Sequence, residues 1–232
     1  MTIIALLLYL GVYMEDKISS ERAGRYVLQD AGYRAFIPVS LPPENLRLNG
    51  KLQDLLSQAD QSLGRLDGSV YTLPDADLFV MMYVKKEAVL SSQIEGTRSS
   101  LHDLLKAEAQ LFDDSAPKDV DEVINYVSAL NYGIERLVEL PVSIRLIKEI
   151  HKKLLYDVRG GRLEPGELRR SQNCIGPAGC TLNTASFIPP PFEDLPEVLS
   201  DLEKFINLNK KIPSLIKIAL THVQFETISS LS

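Results

Sequence analysis

The sequence predicts an all-α protein: a helical bundle with one β-hairpin flap and an extended amino-terminal arm. Three observations carry this reading. From residue 46 onward, long stretches space their apolar residues three and four apart, the period of a half-buried helix. Short breakers of Gly, Pro and Asp separate those stretches. One Gly- and Pro-rich segment, residues 159–191, breaks the period and holds two strand-like runs, "SQNCI" and "TASFI", around a "GPAGC" turn. At 232 residues and 45% hydrophobic composition the chain can bury one large core or two small ones, which excludes a disordered protein.

Each element has its own justification. Residues 1–23 read as a tail. The apolar run Ile3–Tyr13 is short of the about 20 residues a spanning helix needs, so no membrane is implied. It also lacks the basic start and cleavage site of a signal peptide, and Met14 is the expected working start. From Ser19 to Pro43, Gly24, Gly32, Pro38, Pro42 and Pro43 punctuate β-prone pieces, giving the arm. Leu46–Leu66, stopped by "LDGS", is the first helix, and Pro74–Glu95, stopped by Gly96, the second.

A third helix opens at Ser99 or Ser100, with Asp103 placed to complete a capping box and Leu101, Leu104, Leu105 and Leu111 facing inward. Asp119–Leu140 and Ser143–Val158 follow. The latter carries Ile144, Ile147, His151, Leu154, Leu155 and Val158 on one stripe, where His151 reads as a satisfied core histidine rather than a ligand. Past the hairpin, Phe192–Leu208 turns Leu195, Val198, Leu199, Leu202, Phe205 and Ile206 inward, and a last helix starts at Ser214.

Net charge is −6, the wrong sign for gripping nucleic acid through the overall field. The pairs Lys85-Lys86 and Arg169-Arg170 read as solvated faces, so no nucleic-acid partner is expected. Cys174 and Cys180 have no matching Cys or His cluster, which supports neither a disulfide framework nor a zinc site. Free thiols in a reducing, cytoplasmic compartment are expected.

The most specific run is "YVKKEAVLSSQIEGTRSSLHDLL", Tyr83–Leu105. Ser91 and Glu95 lie one helical turn apart, just before a glycine suited to a left-handed helix stop. A carboxylate at a helix carboxyl end is electrostatically poor, and a cation from elsewhere would offset this; a solvated glutamate is the plain alternative.

This run resembles the inhibitory-helix motif [S/T]-x-x-x-E-[G/N] of Fic family proteins, with Ser91, Glu95 and Gly96 on the motif positions. "GYRAFIPVSLPP" and "SLGRLDGSVYTLPDADLFVMMYVKKEAVLSSQIEGT" resemble the amino-terminal domain of one branch of that family. "GELRRSQNCIG" with "ASFIPPPFEDLPEVLSDLEKFIN" resembles the flap and following helix of the Fic core, and "ALTHVQFETI" the helix leading into its active site. Residues 24–115 are then the Fic amino-terminal domain with inhibitory helix, and 116–232 the core.

The resemblance implies a protein adenylyltransferase, moving AMP from ATP, with Mg²⁺, onto a hydroxyl side chain of a target protein. It implies inhibition by Glu95, nucleotide contacts from Glu95 and Gln224, and a target-binding flap of Cys174, Ile175, Ser186, Phe187 and Ile188 that clamps the target by strand addition; a packing or surface role for Gln224 and a plain structural hairpin are the alternatives. A homodimer is a further partner it allows.

The family motif H-P-F-x-[D/E]-G-N-G-R-x-x-R should begin directly after "QFETI", but Ile228 is followed by Ser229, Ser230, Leu231 and Ser232. Ser229 stands at the histidine position, and its hydroxyl cannot act as the general base. His222 lies about 10 Å earlier along the helix, and Glu226 reads as no metal ligand. No catalytic residue and no metal ligand is therefore assigned, and the chain as written is expected to be inactive alone.

A frameshift accounts for such an ending: one T inserted into ATT CAT CCC TTT CTT GAT gives ATT TCA TCC CTT TCT TGA, Ile-Ser-Ser-Leu-Ser-stop. The alternatives are a non-catalytic remnant that binds a protein partner or regulates an intact Fic protein, and a poorly folded product exposing Leu215, Ile218 and Phe225.

Overall fold

A computed structural model describes residues 23–44, 46–94, 96–109, 119–158, 164–177, 179–208 and 212–228. Residues 1–22, Met14 among them, and Glu95, Leu111 and Ser229 lie outside the described residues. The architecture is mostly helical with one two-stranded antiparallel hairpin, as the sequence predicts.

The paired strands, however, lie in the segment read as an extended arm, not in the predicted flap. Strands β1 (Gly24–Leu28) and β2 (Arg34–Pro38) pair with Tyr26 opposite Phe36 and Val27 opposite Ala35. The turn closes through Gln29 N–H to Tyr33 O and Gly32 N–H to Gln29 O, both 2.8 Å, with Gly32 in the left-handed region at φ 85°. Each β-prone piece satisfies the other's backbone, and β2 buries Ala35 and Phe36 against the body.

Helix α1 (Gly50–Val70) is capped by Asn49, whose side chain accepts Leu52 N–H at 2.9 Å. It runs through "LDGS" instead of stopping there, because one glycine inside a helix costs only about 1 kcal/mol. None of its residues is buried. Helix α2 (Ala76–Ile94) buries Lys85, Ala88, Val89 and Ser92. Ser100 and Asp103 form the expected capping box of α3 (Leu101–Glu108).

Helices α4 (Val120–Arg136) and α5 (Ile144–Leu154) approach closely at Gly133, where an added Cβ would sit 2.8 Å from the Ile150 side chain. Ser143 caps α5 by accepting Leu146 N–H, and the helix ends at Leu154, short of Val158. A 3₁₀ turn, Phe192–Asp194, leads into α6 (Leu195–Asn207), and α7 (Ser214–Ile228) packs back on it. No helix among the described residues is long and apolar enough to cross a membrane.

Two apolar clusters hold these elements. Ala88, Val89, Leu104, Val123 and Val127 join α2, α3 and α4. Leu195, Leu199, Leu202 and Ile228 join α6 and α7, with Leu41, Ile144, Leu168, Val198, Ile206 and Phe225 packed around them. Of the three residues expected to be bared, Ile218 is exposed, while Leu215 and Phe225 are half-buried.

Polar groups tie the clusters together. Across α4 and α5, Glu149 accepts from Tyr132 at 2.9 Å, Arg136 at 3.1 Å and Arg145 at 2.9 Å. Those bonds, Arg136 foremost, lower its carboxyl pKa to about 2. His151 is the satisfied histidine expected: its Nδ1 accepts Gly166 N–H at 2.9 Å, and burial lowers its pKa.

The basic pairs are not simply solvated, since one member of each is buried. Lys85 is paired with Glu108 of α3, and Arg169 sits under the flap. Each has a distant partner that compensates the lost hydration of its charge.

Leu104→Ala should lower unfolding free energy by about 2–5 kcal/mol, against less than about 0.5 kcal/mol for Leu55→Ala on exposed α1, measured by urea denaturation. Because folding depresses the Glu149 pKa, its contribution is complete above the ordinary 4.5 and is lost as pH falls toward about 2. An acid titration of Glu149→Gln should therefore show a shallower loss of stability over that window than the parent.

Candidate functional site

The carboxyl end of α2 is built as the sequence suggests. Thr97 N–H bonds Ser92 O and Gly96 N–H bonds Gln93 O, both 3.1 Å, with Gly96 at φ 100°. This is a Schellman closure, and only glycine takes that backbone conformation without strain. One turn before the stop, Ser91 Oγ donates to Glu87 Oε1 at 2.5 Å, and Tyr126 OH of α4 donates to the same oxygen at 3.1 Å. Burial, with the Glu87 charge beside it, raises the Tyr126 pKa. Ser91 and Gly96 thus lie on a fixed helix end, while Glu95 between them lies outside the described residues.

The segment after the stop is fastened by a residue that sequence reasoning missed. Asp119, just before α4, accepts the backbone N–H of Arg98 through one carboxylate oxygen and the Ser99 hydroxyl through the other, the latter at 2.5 Å. Ser99 is fully buried. Burial alone would raise the Asp119 pKa, but the bonds from Ser99 and the Arg98 backbone outweigh it and leave the pKa lowered. Gln93 adds a bond from Nε2 to Ser99 O at 3.0 Å. Asp119 was legible only as a helix-start residue, and it makes no side-chain cap bond to its own helix.

The flap segment closes through a single antiparallel bridge, Ile175 opposite Phe187, not a regular ladder. Ile175 N–H bonds Phe187 O at 2.8 Å, and Ile175 O accepts from Phe187 and Ser186 at 3.0 and 2.9 Å. With three prolines after Ile188 and glycines in the turn, few residues are available to extend the pairing. The base is held by Arg169, which donates to Ser171 O and Pro190 O, and by Gln172, which donates to Pro189 O at 3.1 Å.

Among the expected flap residues, Ser186 is exposed and Cys174, Ile175 and Phe187 are half-buried. Ile188 is 5% exposed and its carbonyl accepts Phe36 N–H of β2 at 2.9 Å, so it anchors the flap and does not present a free edge. Phe36 and Phe187 rings pack 5.8 Å apart, completing the junction.

At the end of α7, Gln224 is buried and its Nε2 donates to Val39 O at 3.0 Å, which gives it a packing role beside the hairpin. His222 is exposed, and Ile228 is fully buried in the second cluster. Among the described residues no group of three His, Cys, Asp or Glu is placed to hold a metal ion.

A model of the Fic/DOC family N-terminal region matches residues 53–135, and a model of the Fic/DOC family matches residues 141–229. The chain belongs to the Fic/DOC family. The Fic fold is also seen in a crystal structure of a Fic family protein from Desulfovibrio desulfuricans G20 at 2.70 Å resolution, which aligns with a TM-score of 0.61 at 17% identity. That alignment covers 80% of this chain and 54% of the other, so this Fic chain spans about half the length of that protein.

Gly96→Ala should destabilise this Fic chain by about 1–2 kcal/mol through backbone conformation alone, because an added Cβ would meet nothing within 4 Å. Asp119→Asn should cost about 1.5–3 kcal/mol at pH 7, and the gap to the parent should close as pH falls through the depressed Asp119 pKa. Urea midpoints at pH 7 and pH 3 measure both effects.

Proposed function

We propose that this chain is the regulatory and target-presenting part of an autoinhibited AMP-transferring Fic protein. The observation that supports it most is the Schellman-closed end of α2, fixed by Asp119, which carries Ser91 and Gly96 of the inhibitory motif. In this reading Glu95 stands at that end and competes with the ATP γ-phosphate for a cation supplied by the H-P-F-x-[D/E]-G-N-G-R-x-x-R text. The flap presents a hydroxyl side chain of the target protein.

ATP would supply the transferred AMP and Mg²⁺ would neutralise its phosphates. Because the described residues form no metal site, no step is assigned to them through either group. In this reading the part of the protein given by these 232 residues does not by itself transfer AMP.

A second reading, a non-catalytic chain that binds a protein partner or regulates an intact Fic protein, is favoured by one observation. The flap is anchored to β2 and Arg169 independently of any catalytic loop.

The test compares the 232-residue chain with the same chain followed by the family motif, each incubated with target proteins and ATP labelled at the α-phosphate. The short chain should give no labelled protein. The extended chain should label, and Glu95→Ala should raise its rate about 5–150-fold, the range of a regulatory coupling of 1–3 kcal/mol. Labelling by the short chain would refute the inactivity. An extended chain indifferent to Glu95→Ala would refute the autoinhibition.

A further inference from the structure

The two cysteines of the flap, remote in character from any metal or disulfide framework, are brought together by the turn. Cys174 Sγ and Cys180 Sγ lie 3.5 Å apart, and Cys174 Sγ is also 3.9 Å from Cys180 O. Cys180 N–H bonds Pro177 O at 2.9 Å, which folds the chain back over Gly176. A Cβ at Gly176 would sit 2.9 Å from Cys180 Sγ, so the absent side chain is what lets the thiol cross the turn. Gly179 takes φ 80° at the other side of the turn. The turn residues Gly176, Pro177 and Gly179 are exposed and both thiols are half-buried, so a small solute can reach them.

We infer that Cys174 and Cys180 form a reversible dithiol–disulfide modification site that ties the flap turn beside its Ile175–Phe187 bridge. A disulfide requires S–S of about 2.05 Å, so the two sulfurs must close by about 1.5 Å, a movement shared over the five residues between them, Gly176 and Gly179 included. The oxidant class is a small-molecule disulfide. One flap thiolate attacks it and releases one small thiol, leaving a mixed disulfide on the flap. The second flap thiolate attacks that mixed disulfide and releases the second small thiol. The flap pair loses two protons and two electrons, and the small disulfide gains them. The neighbouring Cys180 thiol, followed by burial, raises the Cys174 pKa, so exchange should quicken as pH rises. This inference stands apart from the target-binding role of the flap, since it concerns only the covalent state of the pair.

The experiment equilibrates the full chain with graded ratios of oxidised to reduced glutathione at pH 8, quenches with acid, alkylates, and weighs the tryptic peptide Ser171–Lys204, which contains both cysteines. The expected product is a peptide lighter by two hydrogens, at least about tenfold more abundant than glutathione adducts and restored by a dithiol reductant. Cys174→Ser and Cys180→Ser should each accumulate a stable glutathione adduct instead. The urea-unfolded parent should need about tenfold more oxidised glutathione to reach the same internal disulfide, because the native turn supplies the proximity. Adducts on both cysteines of the native parent, disulfide-linked dimers, or equal oxidation of native and unfolded chains would each overturn the inference.

Discussion

The carboxylate of Asp119 is the point on which the carboxyl end of α2 in this Fic protein depends. One oxygen takes the Arg98 backbone N–H and the other the Ser99 hydroxyl, across about twenty residues of sequence. Charge-assisted bonds of this kind are roughly twice as strong as neutral ones, and here the one from Ser99 is partly shielded from water. They bind the segment leaving α2 to the start of α4. The glycine stop at Gly96 then has a fixed direction to turn into, and Ser100 is placed to cap α3. Apolar packing of Ala88, Leu104 and Val123 holds the same three helices, but packing alone is non-directional and would not set where the motif ends.

The hairpin is the corresponding hub of the core. Phe36 N–H receives the flap through Ile188 O, the Phe36 ring meets Phe187, and Val39 O receives Gln224 from α7. Arg169 is buried beneath the same junction and bonds carbonyls at both ends of the flap. Residues from the first forty, from the flap and from the last helix therefore share one support. The flap's single bridge is enough because its two ends are each fastened elsewhere.

Local features were legible in the sequence. The Ser100–Asp103 box, the Ser143 cap, the glycine stop and the inward leucines of α6 are written within three to five residues of the positions they control. The family was legible for the same reason, since Ser91, Glu95 and Gly96 form a short motif. Remote partners were not. Lys85 reads as a surface lysine until Glu108 is found beside it, and Arg169 until Pro190 is. Nothing in the sequence around Gln224 points to Val39, 185 residues away, whose carbonyl takes its amide. The strands of the hairpin also gave no pairing signal, because punctuated β-prone text looks the same paired or unpaired.

By itself the sequence determined that this protein is helical, where its helices begin, and that it resembles the Fic family. These follow from side-chain periodicity and from cap chemistry, which act over one or two turns. Only the tertiary structure decided that Asp119 fastens the segment after the helix stop, that the Ile188 carbonyl and the Gln224 amide bond to the hairpin and the residue after it, and that two incidental-looking cysteines sit 3.5 Å apart. Those outcomes depend on which polar groups meet once water is excluded, and that is settled by packing between segments the sequence keeps far apart.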